Sequence, residues 1–112
     1  MFRESLAAGS RHATMMVATD GKAKFRRRTA TGGATLSNGP LTGSTTVPRW
    51  LKLVRSGSSF SAFISTDGAT WTEVMPATTI AMPATVHVGM LASRSGGSSL
   101  ATAAFTNVSL TR

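Results

Sequence analysis

Short runs of alternating apolar and polar residues, broken by glycine, proline and Asx-Gly pairs, set the pattern of this chain. The first such run is Met1-Phe2-Arg3-Glu4, which reads as the end of a strand before an Ala/Gly-rich turn over Ser5 to Ser10. His12 to Thr19 is a β-type run that ends at Asp20-Gly21, a strong hairpin signal. Lys22 to Thr29 returns with Lys22, Lys24, Arg26 and Arg28 on one side and Ala23, Phe25 and Arg27 on the other. A two-residue period of this kind predicts a strand with one wet, cationic face.

Thr31-Gly32-Gly33 predicts a turn, and Ala34 to Leu36 a short strand. Ser37-Asn38-Gly39-Pro40 is a break, and the stretch to Thr46 is loop-like. Pro48 and Arg49 introduce Trp50 to Arg55, the best strand in the chain. Ser56-Gly57-Ser58 turns it into Ser59 to Ser65, where Phe60, Ala62 and Ile64 alternate with Ser61, Phe63 and Ser65. Asp67-Gly68 closes a hairpin into Trp71 to Met75, and Pro76 and Pro83 bracket an irregular piece. Strands follow over Val86 to Ala92 and Thr102 to Leu110, separated by a polar loop at Ser93 to Ser99. Eight or nine short strands at near-regular spacing predict a sandwich or barrel. No window of eleven residues carries the three-to-four spacing of an amphipathic helix.

Composition agrees with a single all-β domain over residues 1–112. Hydrophobic residues make up 41% and charged ones only 14%, so Ser, Thr and Gly carry the polarity, as turns and pleated strands prefer. Twelve Lys/Arg against four Asp/Glu leave a net charge of +8. That favours an anionic partner such as an acidic polysaccharide, a cell wall, a membrane surface or nucleic acid, unless the charge serves solubility alone. Nucleic acid is not favoured, because neither a recognition helix nor an aromatic platform is legible. There is no cysteine, which excludes a disulfide framework and Cys-ligated zinc. No segment has the length of a bilayer span, and no signal peptide follows Met1. An export signal, where the parent protein is secreted, is expected upstream.

The order of these segments resembles the concanavalin A-like, laminin-G-like sandwich domains of bacterial secreted proteins. These include a group catalogued as a domain of unknown function related to glucanase-like folds. The resemblance runs through Met1 to Ser5, Arg11-His12-Ala13, Phe25 to Arg28, Trp50 to Arg55 and Phe60 to Phe63. It continues through Ser65 to Thr72, Val88-Gly89-Met90 and Phe105 to Val108. It implies an antiparallel jelly-roll sandwich used for carbohydrate binding or adhesion outside the cell. Binding residues are not standardised in that family, so none carries over. The family has several strands before the position of Met1. A chain without them would expose unpaired edges, and a homo-oligomer that completes the sheets is the expectation.

Ser65-Thr66-Asp67-Gly68-Ala69-Thr70-Trp71 resembles a shortened Asp-box, a hairpin device of sialidases and related β-proteins. Its chemistry is structural: the Asp carboxylate accepts turn N–H bonds while Gly takes a positive φ. Trp50 and Trp71 are the sugar-stacking candidates, since an indole can lie on a pyranose and offers an N–H. Burial in a core is the competing role, more so for Trp50. Lys22, Lys24, Arg26 and Arg28 lie about 7 Å apart along one side of a strand, spaced for a polyanion. The same charges would also protect a solvated edge strand.

Catalytic chemistry is thin. Asp20 and Asp67 suit turns. Glu4, Glu73, His12 and His87 remain as acid/base candidates, without metal-ligand spacing and without a paired-carboxylate strand motif. No cofactor or metal is expected. The favoured function is a non-catalytic carbohydrate- or surface-binding module. The alternatives are a small hydrolase of glycoside or phosphoester bonds, with a site on the concave sheet face or between subunits, and a purely structural sandwich.

Overall fold

The computed structural model describes residues 1–18, 20–38, 50–93, 97–98 and 100–112, with the side chain of Met75 left out. Of the break expected over Ser37 to Pro40, Ser37 and Asn38 lie in a strand instead, while Gly39 and Pro40, the loop to Thr46, and most of the Ser93 to Ser99 loop lie outside the described residues. Among the described residues eight strands form: β1 (Phe2–Arg3), β2 (His12–Val17), β3 (Ala23–Arg28), β4 (Leu36–Asn38), β5 (Trp50–Ser56), β6 (Ser59–Ser65), β7 (Thr72–Thr79) and β8 (His87–Val88). They build two antiparallel sheets, ordered β4-β3-β2-β1-β8 and β5-β6-β7. The fold is all-β, and no helix among the described residues is long and apolar enough to cross a membrane.

The two sheets share one core. Ala13, Ala23 and Phe25 come from the first, Phe60, Ala62 and Ile64 from the second. Across the gap the rings of Phe2 and Phe60 meet edge-on, 5.7 Å apart at 69°, the aromatic geometry that a ring quadrupole prefers. This sheet-on-sheet packing makes the architecture sandwich-like. The period-two pattern explains the orientation: Ala23 and Phe25 are buried while Lys24 and Arg26 point outward.

Turn chemistry sets the hairpins where expected. Gly21 has φ of 75° and follows Asp20, whose Oδ1 accepts from the Lys22 N–H at 3.0 Å. Gly57, with φ of 60°, joins β5 to β6.

Three stretches depart from the sequence pattern. The strand expected at Ala34 to Leu36 lies at Leu36–Asn38, where its residues pair with Phe25, Arg26 and Arg27. β7 runs straight through Pro76 to Thr79. It can do so because β7 is an edge strand and its register shifts twice against β6, so Pro76 sits in an irregular stretch that asks less of its missing N–H. Just beyond, Ile80 donates its N–H to Ser58 O at 2.8 Å, and Ile80 and Met82 are both buried. The piece between the prolines therefore closes one end of the core.

The C-terminal strands are the main correction. Val86 to Ala92 contributes only the two residues of β8, and Thr102 to Leu110 forms no strand. Alternation makes a segment competent to pair, but pairing also needs an edge in register. Here Asn107 takes φ of 53°, which turns the chain out of an extended path.

Candidate functional site

Strand pairing separates the predicted ligand-binding residues onto opposite outer faces. On the five-stranded sheet, His12 pairs with Arg28, Thr14 with Arg26 and Met16 with Lys24. These residues share the side away from the core, because their neighbours Ala13, Ala23 and Phe25 are buried on the other. Arg3 pairs with His12 on one flank and His87 on the other, so all three lie on that same face. On the three-stranded sheet, Trp50 pairs with Ser65, Lys52 with Phe63 and Glu73 with Phe63. Their neighbours Ala62 and Ile64 are buried, so this row also faces outward.

The cationic face is partly committed to structure. Arg28 donates from Nε to Gly33 O at 2.8 Å, from Nη1 to Ala8 O at 2.7 Å and Ser10 O at 3.3 Å, and from Nη2 to Thr35 Oγ1 at 3.0 Å. Arg3 donates to Ser5 O at 3.2 Å and Ala7 O at 2.7 Å. The two guanidinium groups thus hold the 5–10 and 30–35 loops over the end of the sheet, with His12 beneath, 6% exposed. Its Nδ1 lies 3.2 Å from Thr14 Oγ1. Burial pushes the His12 pKa down, and the charges of Arg28, Arg3, Arg26 and the terminal amine add to the effect. Arg26 is exposed and Lys24 half-buried, and neither makes a side-chain hydrogen bond among the described residues. Lys22 sits in the turn before β3.

The acid/base candidates do not meet. Glu4 is bound by the Arg11 guanidinium, with Nε to Oε2 at 3.0 Å, and Thr31 Oγ1 approaches at 3.4 Å. Arg11 chiefly holds the Glu4 carboxyl down to about 2. Glu73 is exposed on the opposite sheet from His12 and His87. Among the described residues no three His, Cys, Asp or Glu side chains gather as a metal site.

The outer face of β5-β6-β7 is different in kind. Lys52 Nζ lies 4.7 Å from the centre of the Phe63 ring and 4.3 Å from that of Trp71, so both rings turn a face toward the cation. Phe63, Trp71, Lys52 and Trp50 are all half-exposed. Trp50 leans against the β6-β7 turn, its indole against Gly68. That turn is rigid: Ser65 Oγ accepts from the N–H groups of Asp67 (3.2 Å) and Gly68 (2.9 Å), and donates to Asp67 Oδ1 (2.8 Å). Asp67 Oδ1 accepts from Ala69 and Thr70, both at 2.9 Å. Those amide bonds, Thr70 first, hold its carboxyl near 2.

The result is a patch of three aromatic rings and one cation on the outer face of the three-stranded sheet, edged by a hydrogen-bonded hairpin. Phe63 and Lys52 escaped the sequence-based choice of site residues. Phe63 alternates with core-type Phe60, and its outward position was visible only as the odd member of a run otherwise serine. No family model, curated protein or solved structure matches the chain.

Proposed function

We propose that this chain is a non-catalytic carbohydrate-binding module of a larger secreted protein, and that its contact surface is the outer face of β5-β6-β7. One observation carries this: Trp50, Phe63 and Trp71 lie half-exposed on one solvent-facing sheet surface. Exposed rings on one sheet face suit the apolar faces of pyranose units, and the indole N–H groups offer hydrogen bonds to hydroxyls. Lys52, among the rings, would favour sugars that carry a carboxylate. The resemblance to concanavalin A-like sandwiches and an extracellular location belong to the same proposal. A hydrolase draws less support, since Glu4 is paired with Arg11 and Glu73 lies on the other sheet from both histidines.

Affinity electrophoresis and calorimetry against neutral and acidic polysaccharides test this. Trp71→Ala and Phe63→Ala should each weaken binding ten-fold or more, while Lys24→Gln/Arg26→Gln leaves a neutral glycan unaffected. Binding that survives both aromatic losses but fails in the Lys24→Gln/Arg26→Gln variant would overturn the assignment and move the site to the cationic face.

A further inference from the structure

The C-terminal segment and the β8 edge of the five-stranded sheet each lack what the other offers. Residues 101–112 are all exposed, and Phe105, Val108 and Leu110 leave 50%, 60% and 68% of their surface to water. Among the described residues, no backbone hydrogen bond joins this segment to another part of the chain. Yet Thr102 to Leu110 carries strand-type alternation with β-branched and aromatic residues, and no residue from Leu100 to Leu110 is charged. Such a segment stays in water only when it has no partner.

The edge is its counterpart. β8 pairs with β1 on one side and, among the described residues, ends the sheet on the other. Along the β1-β8 pair lies a groove of about 460 Å³ lined by Met1, Arg3, Leu6 and Ala8 on the β1 side and by His87 to Leu91 on the β8 side. Leu6, Val88, Met90 and Leu91 are themselves exposed. An open strand edge next to apolar side chains is the arrangement that accepts an added strand, main-chain bonds giving affinity and alternate side chains giving register.

We infer that the Thr102–Leu110 segment of one copy adds as a strand to the β8 edge of a second copy, with Val108 and Leu110, which share one side of such a strand, toward the groove, and that the exchange is reciprocal. An isologous pair would satisfy both edges at once. The segment being uncharged, it can approach a strongly basic body without repulsion from its own side chains. Asn107 leaves its left-handed conformation as the strand straightens, a change that asparagine tolerates in either direction.

The chain has no cysteine, so introduced thiols report unambiguously. Light scattering of the full chain over a concentration series should show a dimer. Phe105→Asp/Val108→Asp should raise its dissociation constant at least ten-fold and leave the thermal unfolding of the monomer unchanged, since both side chains are exposed in a single copy. A chain with Val88→Cys and Ala104→Cys, oxidised and run without reductant, should form disulfides between copies. A monomer at every concentration, a dimer indifferent to the two aspartates, or a disulfide closed within one chain would each overturn the exchange.

Discussion

The indole of Trp50 occupies the space that a side chain on Gly68 would need: a Cβ built there falls 2.7 Å from Cε2 and 2.9 Å from Cδ2. Gly68 also has φ of 77°, so two requirements converge on one residue. Gly57 has φ of 60° but nothing near its hypothetical Cβ. Gly57→Ala should therefore cost only the left-handed conformation, about 1–2 kcal/mol. Gly68→Ala should cost that plus overpacking against an indole, about 2–4 kcal/mol in all. Chemical denaturation gives both values, and the Trp50 indole N–H resonance should shift in Gly68→Ala alone. Equal costs for the two would mean that Trp50 does not rest on the turn.

Arg28 should matter to stability more than its place among exposed-looking cations suggests. Its guanidinium reaches three carbonyls and a hydroxyl on two loops. Lysine keeps the charge but not the fork. Arg28→Lys should destabilise by about 1–3 kcal/mol and speed amide exchange in residues 5–10 and 30–35. Added salt should change this little, because every partner is neutral. Arg26→Lys, on the same face but exposed, should be near neutral in both measurements.

Much of this was legible from residue type and period. The Lys24/Arg26 and Ala23/Phe25 alternation announces which way β3 faces, and Ser65, Asp67 and Gly68 announce their turn. What escaped depends on pairing between distant segments. That Trp71 and Arg26 lie on opposite outer faces follows only once β6 and β7 are known to form a different sheet from β3. Ile80 and Met82 look irregular between two prolines, and they become core because Ile80 bonds back to Ser58. Thr102 to Leu110 shows the converse: alternation promised a strand, and among the described residues no edge takes it up.

His12 should make the fold sensitive to mild acid. Its folded pKa is pushed below the ordinary 6.5 by burial and then by Arg28, Arg3 and Arg26. The unfolded chain therefore binds the proton more readily, and stability, complete above about pH 6.5, declines as pH falls below it. Glu4 and Asp67 act in the same direction at lower pH: both are held near 2, so their contributions are present above about pH 4.5 and vanish as pH falls through 2. Thermal unfolding between pH 8 and pH 2 should show two successive declines. His12→Gln should flatten the upper one and leave the lower one intact. An unchanged upper decline would place its origin elsewhere.

Two phenylalanines three residues apart on β6 should behave as opposites. Phe60 is fully buried against Phe2, and Phe63 is half-exposed beneath the Lys52 ammonium. Truncating Phe60 removes a ring from the shared core of both sheets, and Phe60→Ala should cost about 3–5 kcal/mol. Phe63→Ala removes one cation–π partner at a surface where Lys52 keeps Trp71, so about 1 kcal/mol or less is expected. Glycan affinity should rank them in the reverse order, measured where both variants are folded: lost with Phe63→Ala, kept with a conservative Phe60→Leu. If Phe63→Ala instead unfolds the protein while glycan binding per folded molecule is unchanged, the ring belongs to the framework, and the three-stranded face is not the contact surface.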